Sequence, residues 1–169
     1  MKDIDFTGKV AVVTGAASGM GLMASQEFAR LGARVVMCDV NADALAAAAT
    51  DIGAAAYPCA GDVRRFAYAE EAAKIASSLG GCDMLVTCAG GNEARCCRSN
   101  VPFYEQPVEV IDWGLDVNLK GAVYFARAMM PQMVAKKGGV ICCLGPLPVS
   151  RVTAWGRCTE RRSRACSIS

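Results

Sequence analysis

Thr14-Gly15-Ala16-Ala17-Ser18-Gly19-Met20-Gly21 is the stretch whose reading decides the fold of this chain. Before it runs Lys9-Val10-Ala11-Val12-Val13-Thr14, a short apolar segment of the kind that forms a buried strand. After it Met20, Ala24, Phe28 and Leu31 recur at helical spacing until Gly32 supplies a stop. A turn between strand and helix gives each glycine its own task. Gly15 allows the tight turn, Gly19 lets a pyrophosphate approach the backbone, and Gly21 lets the helix pack on the strand. The N–H groups that open the helix, from Ser18 through Met20, would then face the phosphates. An ordinary βα turn that happens to be glycine-rich is the blander reading of the same residues.

Outward from the turn, the two periods alternate. Arg34–Cys38 is a second β-rich run closed by Asp39, and Asn41 is placed to cap an alanine-rich helix that ends near Asp51. Ala54–Cys59 reads as strand three, Arg64–Leu79 as a helix and Met84–Cys88 as strand four. Residues 89–107 form a loop longer than compact domains need, which points to function, and its Glu93–Pro107 part could line a pocket entrance. Val108–Lys137 is helical with a break near Val117–Asn118, and Val140–Leu144 is strand five. Strict alternation of apolar strands and helices predicts an α/β fold, a doubly wound parallel sheet. Asp39 falls about 20 residues beyond the glycines, where a carboxylate can accept from an adenine-ribose diol. The same charge repels a 2′-phosphate, so NAD is expected in preference to NADP. The alternative for Asp39 is a plain strand-end cap.

Composition sets the outer limits. At 169 residues, 53% hydrophobic and 20% charged, the chain can fill one domain core. No histidine is present, which excludes His-based triads and imidazole metal ligands. The ten cysteines include no Cys-x-x-Cys pair, so neither a zinc knuckle nor a thioredoxin-like motif is written in their spacing. Cys96, Cys97, Cys142 and Cys143 could in principle hold zinc, although adjacent cysteines chelate one ion poorly. Free thiols, the absence of an apolar signal segment and the lack of a membrane-spanning run together predict a cytoplasmic protein with no membrane partner. The net charge of +2 conceals a division: residues 1–150 balance at −2 and residues 151–169 at +4. That basic tail has Trp155 as its one aromatic, so nucleic acid is not an expected partner. Met129, Met130 and Met133 read as core or interface residues rather than a cofactor box.

These motifs resemble those of the short-chain dehydrogenases/reductases. Thr14-Gly15-x-x-x-Gly19-x-Gly21 is similar to that family's cofactor turn. Gly61-Asp62-Val63 resembles its adenine-contacting Asp-Val. Cys88-Ala89-Gly90-Gly91 resembles its Asn-Ala-Gly segment, with Cys88 in the asparagine's place. Trp113 through Val117-Asn118-Leu119-Lys120-Gly121 resembles the helix carrying its structural and catalytic asparagine, here Asn118. The resemblance covers residues 6–145. It implies a Rossmann-like sheet ordered 3-2-1-4-5, truncated after strand five in an incomplete domain over residues 1–145. It also implies NAD held by Thr14, Gly15, Ser18, Gly19, Met20, Gly21, Asp39, Asp62, Val63, Cys88, Ala89 and Gly90. An alcohol or ketone substrate is implied too, with association into a homo-oligomer through the helix around Tyr124–Met133.

The family's chemistry also needs a tyrosine with a lysine one helical turn further on. No tyrosine follows Tyr124 and no lysine follows Lys137. The tail supplies a reason. With third codon bases freely chosen, Cys158–Ser169 back-translates to DNA whose neighbouring frame encodes Tyr-Gly-Ala-Ser-Lys-Pro-Gly-Val-Leu-Asn-Leu, similar to the family's catalytic helix. Residues 146–169 are thus expected to be an irregular basic tail produced by a frameshift. The coding DNA decides this.

Overall fold

The computed structural model describes residues 4–91, 101–144 and 164–168. Five strands alternate with helices: β1 (Val10–Thr14), α1 (Gly19–Arg30), β2 (Arg34–Asp39), α2 (Ala42–Ile52), β3 (Ala56–Ala60), α3 (Phe66–Ser78), β4 (Met84–Thr87), α4 (Val108–Leu115), α5 (Gly121–Ala135) and β5 (Gly139–Cys143). All neighbouring pairs among them run parallel, in the order β3-β2-β1-β4-β5. This is the doubly wound α/β sheet that the alternating periods predict.

The central strands are apolar on both faces because both faces are covered. On one side α3 and α5 bury Val12, Cys38, Leu85, Tyr68, Phe125 and Met129 together. On the other α1 and α2 enclose Val13, Val35, Met37, Leu45 and Val86. Met129 and Met133 are core residues, whereas Met130 is exposed. Asn41 caps α2 as its position predicts, its side-chain oxygen accepting from Ala44 N–H at 3.1 Å. Among the described residues no helix is long and apolar enough to cross a membrane.

The C-terminal edge differs from the sequence reading, which ends the sheet at strand five. Residues Arg164–Ile168 form β6, which pairs antiparallel with β5 and sets Arg164 opposite Cys143 and Ile168 opposite Gly139. The open edge of β5 carries unpaired N–H and C=O groups, and a backbone ladder can satisfy them without any hydrophobic period. Periodicity therefore gives no warning of β6. The prolines at 146 and 148 lie outside the described residues.

Asp83, at the entry to β4, ties three elements. It accepts from Val10 N–H at 2.9 Å and pairs with Lys136 at 2.7 Å and Lys9 at 3.5 Å. Burial pushes its pKa up, but the hydrogen bonds from Lys136 and Val10 outweigh burial and hold it below the ordinary carboxylate value. A depressed folded pKa stabilises the fold above the unfolded value of about 3.9, and that stability is lost as pH falls through the folded value. Asp83→Asn is expected to cost about 1–3 kcal/mol at neutral pH. It should also flatten the loss of stability below about pH 4. Urea unfolding at pH 7 and at pH 3 checks both, and an unchanged acid slope would remove Asp83 from the account.

Candidate functional site

The turn between β1 and α1 is built by close approach. Thr14 is buried, its carbonyl accepting from Cys88 N–H and its hydroxyl oxygen from Ala89 N–H, each at 3.1 Å. These two bonds draw the segment after β4 against the turn. Gly15 sits at φ +68°, and a Cβ there would lie 2.8 Å from the Ala89 nitrogen. Gly21 is buried so tightly that a Cβ would collide with the Gly15 carbonyl oxygen. Gly19 has φ +53° with open space where a Cβ would go, so here the backbone conformation favours glycine.

Ser18 precedes α1 in extended conformation and makes no side-chain cap bond. The first helical bond of this turn runs from Leu22 N–H to Ser18 carbonyl at 3.1 Å. The N–H groups of Gly19, Met20 and Gly21 therefore stand ahead of the helix's own ladder, at the positive end of its dipole. Ser18, Gly19 and Met20 are exposed, so an anion can reach them. This cradle fits a pyrophosphate in both charge and space.

Asp39, half-buried at the end of β2, reaches into the same turn. One carboxylate oxygen accepts from Ala17 N–H at 3.0 Å and the other from Asn41 N–H at 2.9 Å. Its carbonyl accepts from Gly61 N–H at 2.8 Å. The strand-end cap and a carboxylate facing the glycines are thus the same group, and each oxygen keeps a further lone pair. Asp62 is engaged by Arg64, with the guanidinium at 2.5 Å, and this hydrogen bond holds its carboxyl below the ordinary value. Val63 is buried against α5, where a Cβ on Gly121 would come 2.9 Å from its Cγ2.

Asn118 stands opposite. Its Oδ1 accepts from Gly91 N–H at 2.9 Å and its Nδ2 donates to Gly91 carbonyl at 3.0 Å. Gly90 lies so close that a Cβ would overlap Asn118 Oδ1. The helix does not break here as expected. Asp116–Lys120 forms a π-helical turn that links α4 to α5 without interruption. Such turns admit one extra residue into a continuous helix and are frequent at functional sites. Asn118→Ala is expected to strip two partners from Gly91 and cost about 1–2 kcal/mol. Faster amide exchange at Gly91 would register the loss, and unchanged exchange would show that the pair does not hold the segment.

Cys88 is half-buried beside Cys142, and burial pushes its thiol up to about 11. Next to Asn118 an open hollow of about 610 Å³ is walled by Phe103, Leu119, Val123, Ala126 and Cys143. Its lining is apolar except at Asn118 and Cys143. Among the described residues no three potential ligands gather around a metal position. Cys96, Cys97 and most of the Glu93–Pro107 loop lie outside those residues. Sequence reasoning places Gly91 and Ala17 inside its motifs but gives neither a role, because their contributions are main-chain and carry no residue-type signal.

The sequence profile of the short chain dehydrogenase family matches residues 9–145. "Oxidoreductase UcpA" of Salmonella typhimurium is 31% identical over 166 residues, 96% of this chain and 60% of the relative. "Hydroxyacyl-CoA dehydrogenase ChsB1" of Mycobacterium tuberculosis is 47% identical over 131 residues, 73% of this chain and 39% of the relative. A solved 7α-hydroxysteroid dehydrogenase, complexed with NADH and 7-oxo glycochenodeoxycholic acid, superposes with a TM-score of 0.72 at 30% identity. That match covers 82% of this chain and 53% of the other. The chain thus spans about half the length of the proteins it matches.

Proposed function

Because the chain belongs to the short-chain dehydrogenase family, we propose that it is the cofactor-binding portion of an oxidoreductase that uses NAD rather than NADP on a small alcohol or ketone. The observation that carries this reading is the Asp39 carboxylate hydrogen-bonded into the glycine turn at Ala17. When bound, the nicotinamide ring supplies or accepts the hydride. The chain's residues do the holding. The N–H groups of Gly19, Met20 and Gly21 take the pyrophosphate, with the Ser18 hydroxyl beside them. Asp39 accepts from the adenine-ribose hydroxyls and rejects a 2′-phosphate by like charge. Asp62 and Val63 would contact the adenine, and Cys88, Ala89 and Gly90, drawn against the glycine turn, would complete the cofactor's site. Thr14 and Gly15 keep these segments in contact, and Asn118 fixes Gly91 at the reacting end.

The relatives' names support the class of reaction without choosing a substrate. A homo-oligomer is part of the same proposal, since Leu119, Val123, Met130 and Val134 leave an apolar stripe exposed along the helix. Cytoplasmic location is proposed from the free thiols of the described cysteines. A second reading, a catalytically silent NAD-binding or interaction module, is favoured by the lack of tyrosine after Tyr124 and of lysine after Lys137.

Fluorescence titration with NADH and NADPH tests the cofactor. NADH should bind more tightly, and Asp39→Ala should lose about 1–3 kcal/mol of NADH affinity. Equal affinities, or no change in that variant, would reject the assignment.

A further inference from the structure

Cys38 and Cys59 are register partners across β2 and β3. Parallel partners lie about 4.8 Å apart, inside the 4.4–6.8 Å Cα span that a disulfide bridges. Both side chains point into the α3 face of the sheet, where they pack with Val36, Val63 and Tyr68. The Tyr68 hydroxyl donates to Cys59 carbonyl at 2.5 Å, closing the pair from the helix side. Both are free cysteines, close enough that each shifts the other's titration. Nothing in the proposed chemistry uses them.

We propose that Cys38 and Cys59 form a reversible disulfide site, oxidised by a hydroperoxide, whose closure displaces the adjacent Asp39 and loosens the glycine turn. The roles of the two sulfurs differ. β3 is the outer strand of the sheet, and Cys59 is 4% exposed against 0% for Cys38. The neighbouring Cys38 holds the Cys59 thiol below its ordinary value, while Cys59 and burial raise Cys38. On the outer strand and the more accessible of the two, Cys59 is the nucleophile and Cys38 the resolving thiol. The Cys59 thiolate attacks one peroxide oxygen, the O–O bond breaks, and the leaving oxygen departs as water, or as an alcohol from an organic peroxide. Cys38 then attacks the sulfur of the resulting sulfenic acid, an S–S bond forms as the S–O bond breaks, and the hydroxyl leaves as water with the proton of the Cys38 thiol. The peroxide is reduced by two electrons and the pair is oxidised by two. The strand spacing admits the bond, but bringing two sulfurs from contact to about 2.05 Å turns both side chains and shifts β2 and β3 at this point. The next residue is Asp39, which holds Ala17 N–H through its carboxylate and Gly61 N–H through its carbonyl.

The test treats the reduced chain with hydrogen peroxide, blocks remaining thiols and maps peptides by mass without reduction. A Cys38–Cys59 cross-link, reversed by dithiothreitol, is the expected result. Amide exchange at Ala17 should rise in the cross-linked form and return on reduction. The effect on cofactor rests on the NAD reading: NADH binding should weaken by roughly tenfold, the usual size of coupling between linked sites. Cys59→Ser and Cys38→Ser should each prevent the cross-link and leave reduced-state NADH binding unaltered. Cross-links confined to other cysteines, or Cys38 and Cys59 recovered as free thiols, would overturn the proposal. A mapped cross-link with no rise in Ala17 exchange would overturn its effect on the turn. A reduced chain that binds no NADH fails the cofactor reading alone, because the mapping and exchange decide the disulfide without it.

Discussion

Purified as these 169 residues, the chain is expected to oxidise no alcohol above the rate of NAD and alcohol in buffer. General acid–base catalysis supplies about 10²–10⁴-fold, or roughly 3–5.5 kcal/mol of barrier, and it needs a group that titrates near the reacting hydroxyl. The family resemblance assigns that task to a tyrosine activated by a lysine, and these residues contain no such pair after α5. Asn118 cannot replace it because an amide does not titrate. Cys88 cannot either, since burial pushes its thiol up to about 11 and leaves it protonated at neutral pH. A coding sequence returned to the neighbouring frame near residue 145 should restore Tyr-x-x-x-Lys and, with it, turnover. NAD-linked oxidation by the present chain, abolished by Gly19→Asp, would overturn both the expectation and the frameshift account.

The second large effect is structural. Gly21→Val should destabilise the fold by more than about 3 kcal/mol and remove NADH binding. Overpacking usually costs about 1–3 kcal/mol, because side chains can rotate aside. Here the colliding atom is the Gly15 carbonyl oxygen, a main-chain atom in the turn itself. Relief would require α1 to lift away from β1, taking the N–H groups of Gly19 and Met20 with it. Gly53→Ala is the matched control. Gly53 has φ +84° but open space where a Cβ would go, so only backbone strain of about 1 kcal/mol is expected. Thermal melts of the two variants separate crowding from strain, and equal losses would show that the contact at Gly21 is not limiting.

Much of this was legible from residue types alone. Val10–Val13 announces a strand covered on both faces, and Asn41 announces the cap it makes to Ala44. The glycine spacing places each glycine where a Cβ collides or where φ is positive. Features made by the main chain were not legible. β6 needs only an open edge on β5, and the π-helical turn at Asp116–Lys120, from which Asn118 bonds Gly91, leaves the helical period almost intact. Asp62 was read as a nucleotide contact, but nothing in Gly61-Asp62-Val63 foretold that Arg64, two residues on, would engage its carboxylate.

Thr14 and Ala89 are separated by 75 positions, and their hydrogen bond spans the centre of the sheet. During synthesis β1, β2 and β3 leave the ribosome first and can pair in order, yet the flank of β1 that receives β4 must stay open until Ala89 emerges. The nascent chain thus carries a half-walled glycine turn with one side of its central strand unprotected. Such delayed, long-range parallel pairing slows folding. Everything the Thr14 clasp needs has been translated well before the stretch where the reading frame is in question. A change of frame there would leave the Thr14 clasp itself intact.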